Sequence, residues 1–453
     1  MNMTGYIKYN NNDYTFHYKD DFLTLIIVDQ NKETDRNLYI FNRTEKVKYL
    51  SGWTSDGFAI SFYVDGDVNK WNGTVRCFPK IVIYSEYQNF DLFKKNIKSI
   101  KFRGGIINRF YSNRNIFESK CLDILENKSI KFKNLEDVTL SEKITIDRKQ
   151  AIFQISVAYP GWKDDGSITL GDIPSIIRII YKKNYNYEEL IQSILNVNDL
   201  MFFCMNRRIF KFEDICLEIT NLEGKFIEVA KIYVPNKTEN EVPKYMLNYM
   251  FISGKISKLL KCLDKVGYLT YKIPKDNKDF VSISATSYSN AFSAFQSIYN
   301  YVYTTKDMVY DNEDFKDVKK EICDALQEVE NKYKGVNSKK RKFVERYSEL
   351  VKKSNLKLEQ MIINTIKEYE FVIDTLPDQE YKQAMLDYES VVIEAVKDRD
   401  LITHNDVFAP NQTDMAVYLV LERLCYAMVF RKIGIGKKKI KQIIHDLSVR
   451  KVI

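Results

Sequence analysis

The chain has 453 residues, 45% of them apolar and 29% charged, which excludes a disordered or fibrous protein and gives room for two or three domains. Its formal net charge of +8 sits at one end. Residues 431–453 hold eight Lys or Arg against one acid, Asp446, so the other 430 residues are about neutral and no global field for polyanions exists.

In chain order, residues 1–157 read mainly as strands. Short apolar-aromatic runs (22–28, 58–64, 77–84) alternate with turns rich in Asn, Asp and Gly. In 151–157, Phe153, Ile155 and Val157 fall on one face and Gln154 and Ser156 on the other, the period of a half-buried strand. The spacing predicts an antiparallel sandwich or barrel-like layer, and no Gly-rich strand-to-helix turn offers a dinucleotide site. The turn at 159–167 and the Arg207–Arg208 pair read as surface turns rather than a ligand rim or phosphate contact. A helix is predicted over 187–203, followed by a strand pair at 209–219 and 226–234.

Near 235–244 the period changes from two to 3.6. Helices are predicted at 245–265, 288–304, 313–333, 339–353, 356–376, 379–403, 414–433 and 437–448. Pro377 ends the fifth, and Asp378 and Asp414 are the expected caps of the sixth and seventh. The expected class is therefore α+β: a β-rich, sandwich-like domain over 1–235, a helical connector over 245–285 and an all-α bundle over 286–453.

The seven cysteines form no Cys-x2-Cys pair, and with three scattered histidines they spell no zinc cluster, so neither metal nor cofactor is expected. No signal-like segment precedes the first strand pattern and no run of 18 apolar residues occurs. The expectation is a soluble, cytoplasmic protein with no membrane partner.

Chemistry concentrates in KDRDLITHND, residues 397–406. The apolar stripe Met385, Tyr388, Val392 and Ala395 or Val396 extrapolates to Arg399, a position where a hydrophobe is due. An arginine on a bundle seam needs carboxylates, carbonyls or a ligand. His404 follows five positions on, which in a continuous helix is 500° of rotation and about 7.5 Å of rise. An imidazole can move the proton of a 2′-hydroxyl or of a leaving 5′-oxygen, and a guanidinium can grip nonbridging phosphate oxygens. Asp400 can orient either group and Thr403 can donate a hydroxyl. This kit suffices for metal-independent cleavage of RNA. GIGKKK at 434–439 lacks the spacing of a phosphate loop.

RDLITH resembles the Arg-[Asn/Asp/His]-x3-His signature of HEPN domains (higher eukaryotes and prokaryotes nucleotide-binding), small helical bundles that include many metal-independent ribonucleases. The stretches 290–303 and 419–436 resemble the ApeA-like branch, and 180–219 resembles its β-rich N-terminal domain. The resemblance implies an antiphage abortive-infection endoribonuclease, with tRNA cut in the anticodon loop by 2′-hydroxyl attack. Position by position it makes Arg399, Asp400 and His404 the catalytic set. Asn405 stands where many relatives carry Gly, and Asn also tolerates a C-cap conformation. It further implies a homodimer through the HEPN bundle, so that two motifs face one cleft, and an N-terminal domain that senses a phage-derived trigger. Lys397, Thr403, Asn405, Arg431, Lys437 and Lys438 are the expected RNA contacts, the tail lysines through phosphates. The alternative is a catalytically silent HEPN protein that binds RNA or nucleotide, as an antitoxin-like partner.

Overall fold

The structure is a computed structural model, and it describes residues 2–28, 43–71, 74–112, 115, 133–158, 174–206, 212–235, 246–270, 283–303, 316–333, 338–353, 357–404 and 410–448. The 159–167 turn, Arg207 and Arg208 lie outside them. Two compact units divide the chain, Met1–Asp264 and Lys265–Ile453. The division falls beyond the 235–244 change of pattern and inside the helix Ile256–Thr270.

Of the sandwich or barrel-like layer expected, the described residues of the first unit show one hydrogen-bonded antiparallel sheet. Its strands are β1 Asn2–Tyr9, β2 Asn12–Lys19, β3 Phe22–Ile27, β4 Arg43–Thr54, β5 Ala59–Trp71, β6 Thr74–Cys77, β7 Ile81–Tyr84, β8 Ile97–Arg103, β9 Leu140–Ile146, β10 Lys149–Val157, β11 Ser175–Tyr185, β12 Asp214–Thr220 and β13 Phe226–Tyr233. The apolar run at 77–84 thus makes two strands, β6 and β7. Three hairpins turn on residue pairs with positive φ: Asn10–Asn11, Asp20–Asp21 and Asp147–Arg148. Two consecutive left-handed residues define the turn that matches strand twist, and Asn and Asp tolerate it best after Gly.

The order β4-β1-β2-β3-β6-β5 closes on itself, because β4 also pairs with β5. Inside this ring, Phe16 and Tyr18 each lie 5.4 Å from Phe62, over Leu23, Leu25 and Leu50. Closure depends on the close approach of β1 to β4. A Cβ at Gly5 would lie 2.0 Å from the Trp53 carbonyl oxygen, and one at Gly52 would lie 1.9 Å from that of Tyr6. Backbone atoms cannot yield as a flexible side chain can. Gly52→Ala is therefore expected to lower the unfolding free energy by about 2 kcal/mol or more, read by urea denaturation of the full chain. An unchanged midpoint would mean that β1 and β4 can separate at this crossing without loss of stability.

From β5 the sheet continues open, as β7-β13-β12-β8-β11-β10-β9. One face is apolar. It carries Ile100, Phe102, Phe153, Ile155, Ile177, Ile179 and Leu217, all fully buried. Helix α1, Ile191–Met205, is buried over most of its length and ends on Asn206 in a left-handed C-cap. The capping box of Asn186 and Glu189 starts the turn before it. Helix α2 is Ile256–Thr270, and its first N–H donates to Glu142 (2.9 Å).

The second unit contains α3 Ala285–Val302, α4 Lys316–Lys332, α5 Ser338–Lys353, α6 Leu358–Glu368, α7 Tyr388–His404, α8 Gln412–Lys432 and α9 Lys437–Ser448. α8 is buried nearly all round, as befits the central helix of a bundle, and it packs on α3, α6, α7 and α9. One expected cap differs: the N-cap of α8 is Asn411, with Asp414 completing its capping box from N3. Asp378 is the N-cap residue of the short helix Gln379–Ala384, with no side-chain cap bond. The predicted helix over 379–403 breaks at 385–387, where Met385 closes the first piece and Asp387 Oδ1 accepts from the Ser390 N–H (3.4 Å) to start α7. Among the described residues, no helix is long and apolar enough to cross a membrane.

Candidate functional site

α7 packs on α3, α6 and α8, and its contact stripe includes Val392 and Ala395, both buried. Arg399, four residues after Ala395, continues this stripe, with its side chain 27% exposed. Its Nη1 donates to Asp400 Oδ1 (2.8 Å), and the Asp400 side chain is 62% exposed. Lys397, two residues earlier and so on the opposite side of the helix, is exposed. α7 stays helical through His404, so positions 399 and 404 are separated by the full 500° of rotation. The side chains of Thr403 and His404, and all of Asn405, lie outside the described residues.

Asp398, on the inner side of Arg399, was not singled out by the sequence motif. It lies three residues after buried Ala395, which was the available signal. Burial raises its carboxyl above the usual range, and the neighbouring carboxylates of Asp414 and Glu394 add to this. Asp414 is itself buried and accepts from the Tyr288 hydroxyl (3.1 Å), whose pKa is raised first by burial and then by Asp414. The junction of α3, α7 and α8 therefore places two carboxylates and a phenol behind the Arg399 rim. Such a wall favours a cationic side chain over an additional anion at the seam.

The remaining expected RNA contacts are not gathered here. Arg431 pairs with Glu368, and its guanidinium lies 4.9 Å from the centre of the Tyr303 ring. Tyr303 also donates to the other Glu368 oxygen (2.6 Å), and burial pushes the adjacent Tyr369 phenol up to about 12. Arg431 is thus engaged in holding α8 to α6. Lys437 and Lys438 are exposed at the start of α9, past the far end of α8. Asp414, beside Asp398, and Lys432 are 18 residues apart on α8, or about 27 Å. The basic tail and the Arg399 rim therefore occupy opposite ends of the central helix.

A second constellation lies in the first unit, on the polar face of the open sheet. Lys101 on β8 pairs with Glu228 on β13 and lies 3.6 Å from Glu218 on β12. Arg178 on β11 grips Glu218 with two bonds (2.8 and 3.0 Å), Ser99 donates to the same carboxylate, and Arg103 pairs with Glu228. Lys101 and Glu218 side chains are 7% and 2% exposed. Within this cluster Asp214, Cys216 and Glu228 bring three donor atoms within 4.8 Å of one another. Burial, then Glu228 and Asp214, raise the Cys216 thiol, which keeps it protonated rather than a thiolate ligand. Lys101 and Arg103 already neutralise Glu228. The arrangement is an internally compensated ion cluster, with positive charge occupying the place a cation would take.

The chain matches no family model, no curated protein and no solved structure.

Proposed function

We propose that the chain is a metal-independent endoribonuclease whose helical unit is a HEPN bundle of the ApeA-like kind. The observation that carries this reading is Arg399 in phase with the buried α7 stripe and 27% exposed, with His404 at the end of the same helix. The 2′-oxygen attacks phosphorus as a neutral imidazole takes its proton. The P–O5′ bond then breaks, a protonated imidazole supplies the proton to the departing 5′-oxygen, and a 2′,3′-cyclic phosphate remains. Arg399 offsets the extra negative charge of the phosphorane. A single chain offers one imidazole at position 404, and its helical offset from position 399 favours a cleft made by two copies, each donating Arg399 and His404. Asp400 orients Arg399. tRNA cut in the anticodon loop is the substrate, and antiphage abortive infection in the cytoplasm the setting. The first unit restrains the nuclease or detects the phage-derived trigger.

RNA ends from cells expressing the wild type and His404→Ala test this reading. Cuts clustered in tRNA loops, absent with the variant, are the expected result. Identical end profiles for both proteins refute the catalytic assignment. The Arg399–Asp400 ion pair favours one competing reading, a silent RNA-binding or antitoxin-like partner in which the guanidinium serves retention alone. That reading predicts RNA bound to purified protein with no cleaved product.

A further inference from the structure

α4 and α5 form an antiparallel hairpin. Contacts at one end fix the return: Arg341 Nε lies 3.4 Å from Glu330 Oε1, and Lys340 Nζ lies 5.4 Å from the centre of the Tyr333 ring. Val344 and Ser348 are buried on the inner side of α5, and Leu326 is half-buried on that of α4. Among the described residues of the hairpin, the exposed large apolar side chains are Ile322 (43% exposed) and Val329 (37%) on α4, with Phe343 (61%), Tyr347 (47%) and Leu350 (53%) on α5. At about 100° per residue, the α4 pair lies roughly 40–60° to one side of Leu326, and the α5 trio roughly 60–120° to the same side of Val344. The sense of rotation reverses between antiparallel helices, so both sets project onto one face of the hairpin. Isolated exposed hydrophobes are ordinary, but five on one face of two adjacent helices form a patch.

The charges beside this patch select its occupant. From Glu321 to Asn331, α4 carries four acids and no base. From Lys339 to Tyr347, α5 carries five bases and one acid. Stacking two hairpins about a two-fold axis parallel to the helices sets α4 of one copy over α5 of the other. An axis across the helices would instead set α4 on α4 and α5 on α5, acid against acid and base against base. The heights agree with the first arrangement. Glu328 and Lys342 each lie about 6 Å down their helices from the turn, and Glu321 and Arg346 about 16 and 12 Å down, within one helical turn of each other. All four are exposed at the outer edge of the apolar face.

We infer that this face docks on the same face of a second copy of this chain, α4 against α5 in both directions, forming an intermolecular four-helix bundle. The face measures about 24 by 20 Å, so two copies bury on the order of 1,000 Å², the lower bound of a specific interface. The dimer is accordingly a reversible one, assembling in the micromolar range. This inference does not rest on the ribonuclease reading, and its readout is mass rather than cleavage.

Sedimentation velocity of the full chain, from about 1 to 100 μM, tests it with two charge-reversal variants. Glu321→Lys/Glu328→Lys sets base against base at both facing pairs, and Lys342→Glu/Arg346→Glu sets acid against acid there. Each variant alone is expected to dimerise at least about tenfold more weakly than the wild type, while an equimolar mixture regains wild-type affinity. All substituted positions are exposed, and circular dichroism checks that the helices persist. A wild-type chain that stays monomeric throughout, variants that dimerise undiminished, or a mixture that fails to associate each overturn the inference.

Discussion

On the proposed ribonuclease reading, Arg399→Ala is expected to lower the rate of RNA cleavage by about two to three orders of magnitude in an EDTA-treated assay, the typical loss when one transition-state donor is removed. Folding stability changes by less than about 1 kcal/mol, because the ion pair given up has a partner 62% exposed, and exposed pairs contribute little. The two readouts together separate a charge that acts on phosphate from one that merely closes the seam. Arg399→Lys regains only part of the rate, since an ammonium keeps the charge but not the planar two-donor fork that matches phosphate oxygens. Asp400→Ala gives a smaller loss than Arg399→Ala, as expected of a positioning residue. Unchanged cleavage by Arg399→Ala removes the arginine from the mechanism. Loss of fold with loss of cleavage assigns it to the bundle seam instead.

Why that arginine was visible in the sequence, and other features were not, follows from the range of the interactions involved. Local period suffices for the switch from strands to helices and for the α7 stripe, where Val392 and Ala395 are buried and Arg399 emerges in phase. Ring closure does not show locally. Gly5 and Gly52 are 47 positions apart, and each reads as an ordinary strand glycine until β1 is laid on β4. The capping box of α8 was missed by three residues, because Asp414 and Asn411 are both good N-caps and only the backbone decides which carbonyl starts the helix. The sheet-face cluster is the clearest case. Lys101, Arg178, Glu218 and Glu228 alternate with hydrophobes in their own strands and so read as solvent-facing; three of them converge because β8 lies between β11 and β12. The α4–α5 hairpin fails in the opposite direction. Its stripes have the same period as those of core helices, and periodicity alone does not say whether a stripe has been covered.

Glu218→Ala is expected to destabilise the first unit by about 3–5 kcal/mol, the largest stability effect of any single truncation proposed for this chain. The carboxylate takes two bonds from Arg178, one from Ser99 and the field of Lys101, and its side chain is 2% exposed. Removing it leaves the buried Lys101 ammonium with Glu228 alone and frees one side of the Arg178 guanidinium, which also stacks 4.8 Å from the Phe226 ring. A charge left short of its partner in a dry site loses more than the pair contributes when intact. Glu218→Ala/Lys101→Met is therefore expected to be more stable than Glu218→Ala alone, because the second change removes the stranded ammonium. Acidification tests the same cluster from another side. Burial alone would raise the Glu228 carboxyl, but bonds from Lys101 and Cys216 hold it below 4.5. Its contribution is thus complete above about pH 4.5 and disappears as pH falls through the lower folded-state value, so Glu228→Gln flattens the acid limb of stability against pH. Urea titrations of the four proteins at neutral and acid pH give both comparisons. If Glu218→Ala unfolds at the wild-type midpoint, the cluster is hydrated in solution and its charges do not depend on one another.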